Sequence, residues 1–256
     1  MFNITENPIK AVVLAAGKGT RLHNEQIDAP KVMREANGKP LLYYVLDAIS
    51  FIDKKDITLV VGYKKENVLD YFKDYPYAIQ EEQLGTGHAV ASAKKELEGF
   101  DGAVLICYGD MPAIKKEIYQ ELIKTHFDEN NDCTLLTGES TLKMSFGRIE
   151  RDTNGSFLRV VEEKDCSPEQ LKIKELNTGV YVFNTPMLLK ALGELKNDNS
   201  QGEYYVTDVP EIMREKGEKT GILKRNLGDD IIGVNTSEQL KMVEEILQRR
   251  GADDGF

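Results

Sequence analysis

"AVVLAAGKGTRL", residues 11–22, passes from an unbroken apolar run into two glycines, a threonine and two cations within one turn of chain. A run that is apolar at every residue, and not at every second one, is the pattern of a strand covered by helices on both faces. Glycines at 17 and 19 let the backbone turn sharply and bring its N–H groups close to a ligand that a side chain would hold off. Turns of that kind bind phosphate. The stretch therefore predicts a central parallel strand over residues 9–15 that delivers an anion-binding turn.

Working outward, short β-rich apolar runs alternate with longer amphipathic ones. "ITLVVG" (57–62) and "AVLICY" (103–108) read as further central strands, while "PLLYYVLDAIS" (40–50), "KENVLDYF" (65–72), "GHAVASAKKELE" (87–98) and "EIYQELIKTHF" (117–127) read as helices. Strand and helix in turn make βαβ units and an α/β fold with a mainly parallel sheet. From residue 131 the texture changes to "DCTLLTG", "GRIERD", "SFLRVVEEK" and "ELNTGVYVFN", with an Asn-Gly turn signal in "RDTNGS". This predicts a β-rich lobe with antiparallel pairing. A last helix over 236–250 begins near Thr236 and ends at Gly251.

Composition excludes several classes of protein. The chain has 256 residues and a formal charge of −10, which disfavours a protein that coats nucleic acid. No apolar run approaches the roughly 20 residues that span a bilayer, and the N-terminus lacks a signal-peptide core. The three cysteines, Cys107, Cys133 and Cys166, are far apart and read as reduced, which fits a cytoplasmic protein.

Three phosphate-loop patterns compete for the glycine turn. The dinucleotide fingerprint G-x-G-x-x-G fails at Leu22, and no strand ending in an acidic residue follows about 20 residues on. The ATPase loop fails because Lys18 is followed by Gly19. The third combines "LAAGKGTRL" with "APKVM" (29–33) and "GKPLLYYVLDAI" (38–49). That combination resembles the sugar-nucleotidyltransferase family. The resemblance implies a Rossmann-like α/β fold with a mixed, mainly parallel sheet and a β-rich sugar-binding lobe. It also implies a loop that wraps a nucleoside triphosphate through Leu14, Ala15, Gly17, Lys18, Gly19 and Thr20, with Arg21 and Lys31 on the phosphates. Two cations suit that place, since attack on a triphosphate shifts charge toward departing pyrophosphate.

Further motifs extend the match. "AIQEEQLGTGHAVASAKKEL" (78–97) puts Gln80 at a strand end before a Gly-Thr-Gly turn. A side-chain amide both donates and accepts, as the imide edge of uracil requires, so Gln80, with Gly85 and Thr86, is the candidate base reader. His88, at the helix start, reads as a capped, packed imidazole. "AVLICYGDMP" (103–112) places Asp110 at the end of a central strand, where open α/β sheets bind ligands and where a carboxylate suits Mg²⁺. With "FGRIERD", "VVEEKD", "ELNTGVYVFN" and "IIGVNTSEQL", the chain is similar to the uridyltransferase half of bacterial bifunctional N-acetylglucosamine-1-phosphate uridyltransferases, from about residue 9 to about 245. That similarity implies that Tyr108, Gly109, Gly147, Glu162 and Asn177 hold the amino sugar, and that Asn235 joins Asp110 on Mg²⁺. The substrates implied are UTP and N-acetylglucosamine 1-phosphate, and the product is UDP-N-acetylglucosamine, a cell-wall precursor. A sibling activity on glucose 1-phosphate with UTP or dTTP is the alternative.

The expected organisation is one domain over 1–256, with a nucleotide-binding half to about 130, a sugar-phosphate half over about 131–235, and a helix and tail over 236–256. Two departures from the family stand out. The segment "RLHNEQIDAPK" is longer than usual, and the chain stops 21 residues past Asn235, short of the family's hexapeptide repeats, so acetyl transfer is not assigned to it. A glycosidase reading of the pairs Glu81-Glu82 and Glu162-Glu163 has no other support. A sugar-nucleotide sensor should lack Arg21, Lys31 or Asp110, and all three are present. Oligomeric state is not legible in the sequence.

Overall fold

In the computed structural model, which describes residues 7–19, 29–139 and 145–253, strand β1 (Ile9–Leu14) lies inside a nine-stranded sheet. It pairs in parallel with β4 (Ile57–Val61) on one side and β6 (Ala103–Tyr108) on the other. β5 (Tyr77–Ile79), reached through α2 (Lys65–Tyr71), extends the sheet in parallel beyond β4, while β2 (Glu35–Ala36) and β3 (Lys39–Pro40) pair antiparallel in a separate ribbon. Helices cover both faces, which is why these strands lack polar alternation. Ala11 and Val13 enter one core with Leu41 and Val45 of α1 (Leu41–Ala48), Leu122 of α5 (Lys116–Asp128) and Val243 of α8 (Ser237–Asp253). Val12 and Leu14 enter the other with Val90 of α3 (Thr86–Ser92), Leu188 of α6 (Thr185–Leu192) and Met213 of α7 (Val209–Glu215). Each fully buried Val, Leu or Ile side chain contributes about 1.5–3 kcal/mol, so the three central strands carry much of the stability.

Beyond β6 the sheet takes one reversed strand. β10 (Leu176–Asn184) runs antiparallel to β6 and to β7 (Cys133–Gly138), and β11 (Thr220–Arg225) closes that edge parallel to β7. The expected β-rich lobe is thus an extension of the central sheet. Only the hairpin of β8 (Arg148–Arg151) and β9 (Phe157–Val161) stands off the main path, attached through Leu176 and Arg148. Its turn is the one signalled by "RDTNGS": Asp152 Oδ1 accepts from the backbone of Asn154 and Ser156, each at 2.9 Å, and Gly155 is left-handed at φ +82°. β10 carries a bulge between Asn177 and Tyr181, with Gly179 at φ +79°.

Two helices depart from expectation. The segment over 87–98 breaks at Ala93 into α3 and the short α4 (Lys94–Leu97). Helix α8 runs through Gly251 to Asp253. A helical glycine costs only about 1 kcal/mol, and Arg250 opposes it by donating to Ala113 O at 2.7 Å and pairing with Asp230. Among the described residues no helix is long and apolar enough to cross a membrane.

β1 and β6 end level, with Leu14 opposite Tyr108, while the chain leaves β1 for β4 on its other side. This is a topological switch point, where the loops after neighbouring strands diverge and leave a crevice. Helix α8 starts at the same edge. Gln239 Oε1 accepts from Asn235 N (2.7 Å) and Thr236 N (3.0 Å), and Thr236 Oγ1 accepts from Gln239 N (3.2 Å), a reciprocal capping box. Gln239→Ala is expected to lower stability by about 1 kcal/mol, checked as a lower urea midpoint at unchanged m-value.

Candidate active site

The crevice is floored by the loop after β1. Ala16 O accepts from Gln83 Nε2 at 3.0 Å, and Gly17 faces open space. Gly19, at φ +66°, lies on Lys31, whose Cβ would be 2.7 Å from any Cβ at that position. The glycine turn and the Lys31 segment are therefore packed together, and only glycine permits it. Ala15 turns into the core on the opposite face, so the alanine lining the crevice is Ala16. Lys18 Nζ lies 5.8 Å from the Tyr63 ring centroid, and both residues line a neighbouring cavity of about 220 Å³. Thr20 and Arg21 lie outside the described residues.

The first cavity, about 250 Å³, runs from Leu14 and Gly17 to Gln80 and Gly85. Gln80, only 5% exposed, donates from Nε2 to Gly85 O at 3.0 Å. Gly85 has φ +112°, and a Cβ there would lie 2.5 Å from Tyr204 O. The turn is clamped by an irregular segment: Tyr204 N donates to Leu84 O (2.8 Å), Gly87 N to Tyr204 O (2.7 Å), and Val206 N to Thr86 Oγ1 (3.1 Å). The Thr86 hydroxyl thus serves as an internal fastener.

The second cavity, about 200 Å³, shares Thr86, Tyr108 and Asp110 with the first. Asn177, 3% exposed, donates from Nδ2 to Tyr181 Oη at 2.6 Å, while its Oδ1 is buried with no partner. A buried acceptor left unpaired costs about 1–3 kcal/mol, which a ligand hydroxyl or amide N–H would recover. Gly147 O accepts from Asn177 N at 2.9 Å, and Gly147 and Glu162 line the same cavity. Burial pushes the Glu162 carboxyl above the usual range, the neighbouring Thr207 opposes the rise, and the charges of Asp165 and Glu203 add to it. Burial, then the Glu162 charge, raises the Tyr108 hydroxyl as well. Gly109 does not line this cavity. It packs beneath the site against Val32, Leu42 and Leu14 O.

At the wall between the cavities, Lys31 Nζ forms an ion pair with Asp110 and donates to Asn235 Oδ1 at 2.9 Å. The strand-end loops are joined by Val234 N donating to Asp110 O at 2.9 Å. Two oxygens from distant parts of the sequence therefore converge on one cation. Among the described residues no three His, Cys, Asp or Glu cluster around a metal-sized site.

Residues 10–231 match the nucleotidyl transferase family. The chain belongs to that family. It is 46% identical to the bifunctional protein GlmU of Clostridium novyi (strain NT) over 242 residues, covering 94% of this chain and 52% of that protein. It is 43% identical to the bifunctional protein GlmU of Lactobacillus delbrueckii subsp. bulgaricus over 240 residues, covering 93% and 51%. The chain spans about half the length of these curated relatives. In fold it is similar, at a TM-score of 0.70 and 15% identity over 93% of this chain and 94% of the other, to a Bacillus anthracis structure assigned as a glucose-1-phosphate thymidylyltransferase and solved with sucrose.

In this nucleotidyl transferase, sequence reasoning missed Gln83, the clamp at Tyr204–Val206 and Gly179. Gln83 sits beside the "LGTG" turn and was open to notice, whereas "EYYV" (203–206) carries no strand, helix or glycine signal. Gly179 matters because a Cβ there would lie 2.4 Å from Tyr108 Cε2.

Gly179→Ala combines a left-handed backbone with that overlap, together about 2–4 kcal/mol of strain. It is expected to displace Tyr108 and weaken ligand binding in the second cavity more than in the first, checked by calorimetry with each substrate. Asp208, next in the chain to the cavity-lining Thr207, has its carboxyl raised to about 6 by burial, with the charges of Glu211, Glu162 and Asp165 adding. The native state then holds this proton more tightly than the unfolded chain, so stability is lost as pH rises from about 4 through about 6. Asp208→Asn is expected to raise Tm at pH 7.5 and leave it unchanged at pH 4.

Proposed function

We propose that this nucleotidyl transferase passes a uridylyl group from UTP to N-acetylglucosamine 1-phosphate, forming UDP-N-acetylglucosamine and pyrophosphate. One observation carries the reading. Two cavities share a wall of Tyr108, Asp110 and Thr86, one holding the Gln80 amide and the other the unpartnered Asn177 oxygen. With a base reader on one side and a sugar reader on the other, the joining phosphates would lie at the wall. Identity of 41–46% to bifunctional GlmU proteins over nearly the whole chain supports the same assignment.

The reaction asks little covalent chemistry of the protein. An oxygen of the sugar phosphate, already ionised near neutral pH, attacks the α-phosphorus in line. The new P–O bond forms as the bond to the β-phosphate bridging oxygen breaks, and pyrophosphate leaves with that electron pair. No general base is required, so catalysis is alignment and neutralisation of charge. Glu162 and Asn177 orient the sugar, and Gln80 and the clamped Gly85 turn orient the base. Lys31, with Arg21 as the family resemblance implies, faces the charge that develops on the leaving group.

Asp110 and Asn235 fit a hard cation, because their oxygens already converge on the Lys31 ammonium. With only two protein donors, Mg²⁺ would complete its shell with phosphate oxygens and water, and so bind together with nucleotide. Bound there, Mg²⁺ supplies positive charge to the crowded phosphates. Charged substrates and three free cysteines fit a cytoplasmic setting for this chemistry.

The test is pyrophosphate release over a matrix of UTP, CTP, dTTP and ATP against N-acetylglucosamine 1-phosphate, glucose 1-phosphate and galactose 1-phosphate. UTP with the N-acetylated sugar is expected to give the highest kcat/KM. A preference for glucose 1-phosphate would move the chain to the sibling activity, and no release with any pair would refute the reading. Asp110→Asn is expected to lower kcat about 100-fold or more while UTP binding changes little, with Asn235→Ala milder in the same direction. Wild-type turnover and magnesium dependence in Asp110→Asn would exclude the two-oxygen site.

A further inference from the structure

Two neighbours decide which way the Gln80 amide points. Gly85 O carries no hydrogen, so the amide edge that meets it at 3.0 Å must be Nε2. The same Nε2 lies 3.2 Å from His88 Nδ1. An amide nitrogen has two hydrogens, and with one on Gly85 O the second points at the imidazole. Nδ1 must then accept, which puts the imidazole proton on Nε2. Both donors of Gln80 are consumed within the protein, and its Oε1 has no partner among the described residues.

That arrangement presents a lone acceptor to whatever enters the first cavity. An imide N–H, as at N3 of uracil, would donate to it. The N3 of cytosine is itself an acceptor and would meet oxygen against lone pair. Turned over, the amide would present a donor and welcome cytosine, so selection depends on the amide staying put. Gly85 O holds one of its protons. His88, half-buried in the first turn of α3, takes the other.

We propose that His88 is a positioning residue for base selection, its Nδ1 fixing the Gln80 amide so that Oε1 faces the base and the cavity takes uracil in preference to cytosine. This rests on the base-reading role given to Gln80 above. A histidine present only to fill space needs no acceptor at that atom, and substitutions separate the two roles. Phenylalanine keeps the ring and removes the acceptor, while asparagine can set its Oδ1 where Nδ1 stands.

The experiment compares UTP with CTP in pyrophosphate release, at saturating N-acetylglucosamine 1-phosphate, for the wild type, His88→Phe, His88→Asn and Gln80→Ala. His88→Phe is expected to cut the UTP-over-CTP ratio of kcat/KM by about tenfold or more, chiefly by raising the KM for UTP, with kcat at saturation nearly unchanged. His88→Asn should restore most of the ratio, which a purely space-filling role would not. On the unmodified protein, ¹⁵N NMR of the imidazoles at pH 8 should show His88 as the Nε2–H tautomer, a readout that stands even if the phenylalanine variant does not fold. A wild-type ratio in His88→Phe, or an Nδ1–H tautomer, overturns the proposal. If Gln80→Ala loses discrimination while His88→Phe keeps it, only the role of His88 falls. If Gln80→Ala keeps it too, the base-reading role of the cavity fails and this inference with it.

Discussion

Parallel pairing of β1 with β6, in a register that ends Leu14 opposite Tyr108, is the constraint on which the rest of the structure depends. Because β4, the next strand of this sheet after β1, lies on its far side, the backbones leaving β1 and β6 must diverge, and the gap between them cannot be filled by either. Both strands are buried on both faces, so a slip in register would tear two cores at once. The crevice is therefore set by the doubly covered centre of the sheet.

Charge within the crevice is settled locally. Asp110 is 9% exposed and would be costly to hold ionised without a partner. Lys31 supplies the partner and is shared with Asn235. A ligand bringing phosphate oxygens would offer the ammonium a second set of anions, and a divalent cation would offer the carboxylate a second positive charge. The same three side chains thus suit the protein alone and the protein with a charged substrate. The second cavity works differently, with Asn177 in its lining and the Oδ1 of that residue buried without a partner.

Both cavities depend on backbone that only glycine allows. Gly85 turns beneath the clamp of Tyr204, and Gly179 takes the face of Tyr108 within the β10 bulge. Tyr108 and Thr86 belong to both cavities, so each of these glycines adjusts the shared wall as well as its own side. In the proposed reaction, base and sugar would sit at opposite ends, with the phosphates between them at the shared wall of Thr86, Tyr108 and Asp110.

The amino-acid sequence by itself determined what short-range chemistry can dictate. Unbroken apolar runs at 57–62 and 103–108 marked strands covered on both faces, and glycines at 17 and 19 marked a turn open to anions. Family resemblance added Lys31, Asp110, Asn177 and Asn235, which the fold brings to one crevice. Tertiary structure decided the rest, because those choices turn on which atom faces which neighbour. Ala15 and Ala16 are equivalent in sequence, and only the course of the chain beyond β1 sends Ala15 into one core and sets Ala16 at the edge of the other, where it lines the crevice. Gly109 lies beneath the site, and the Thr86 hydroxyl is taken by Val206 N, a partner 120 residues away. Helix α8 passes Gly251 because Arg250 is held from outside the helix, a contact that outweighs a local propensity of about 1 kcal/mol. The direction of the Gln80 amide was fixed last of all, by a carbonyl and an imidazole that the Gly-Thr-Gly turn folds back upon it.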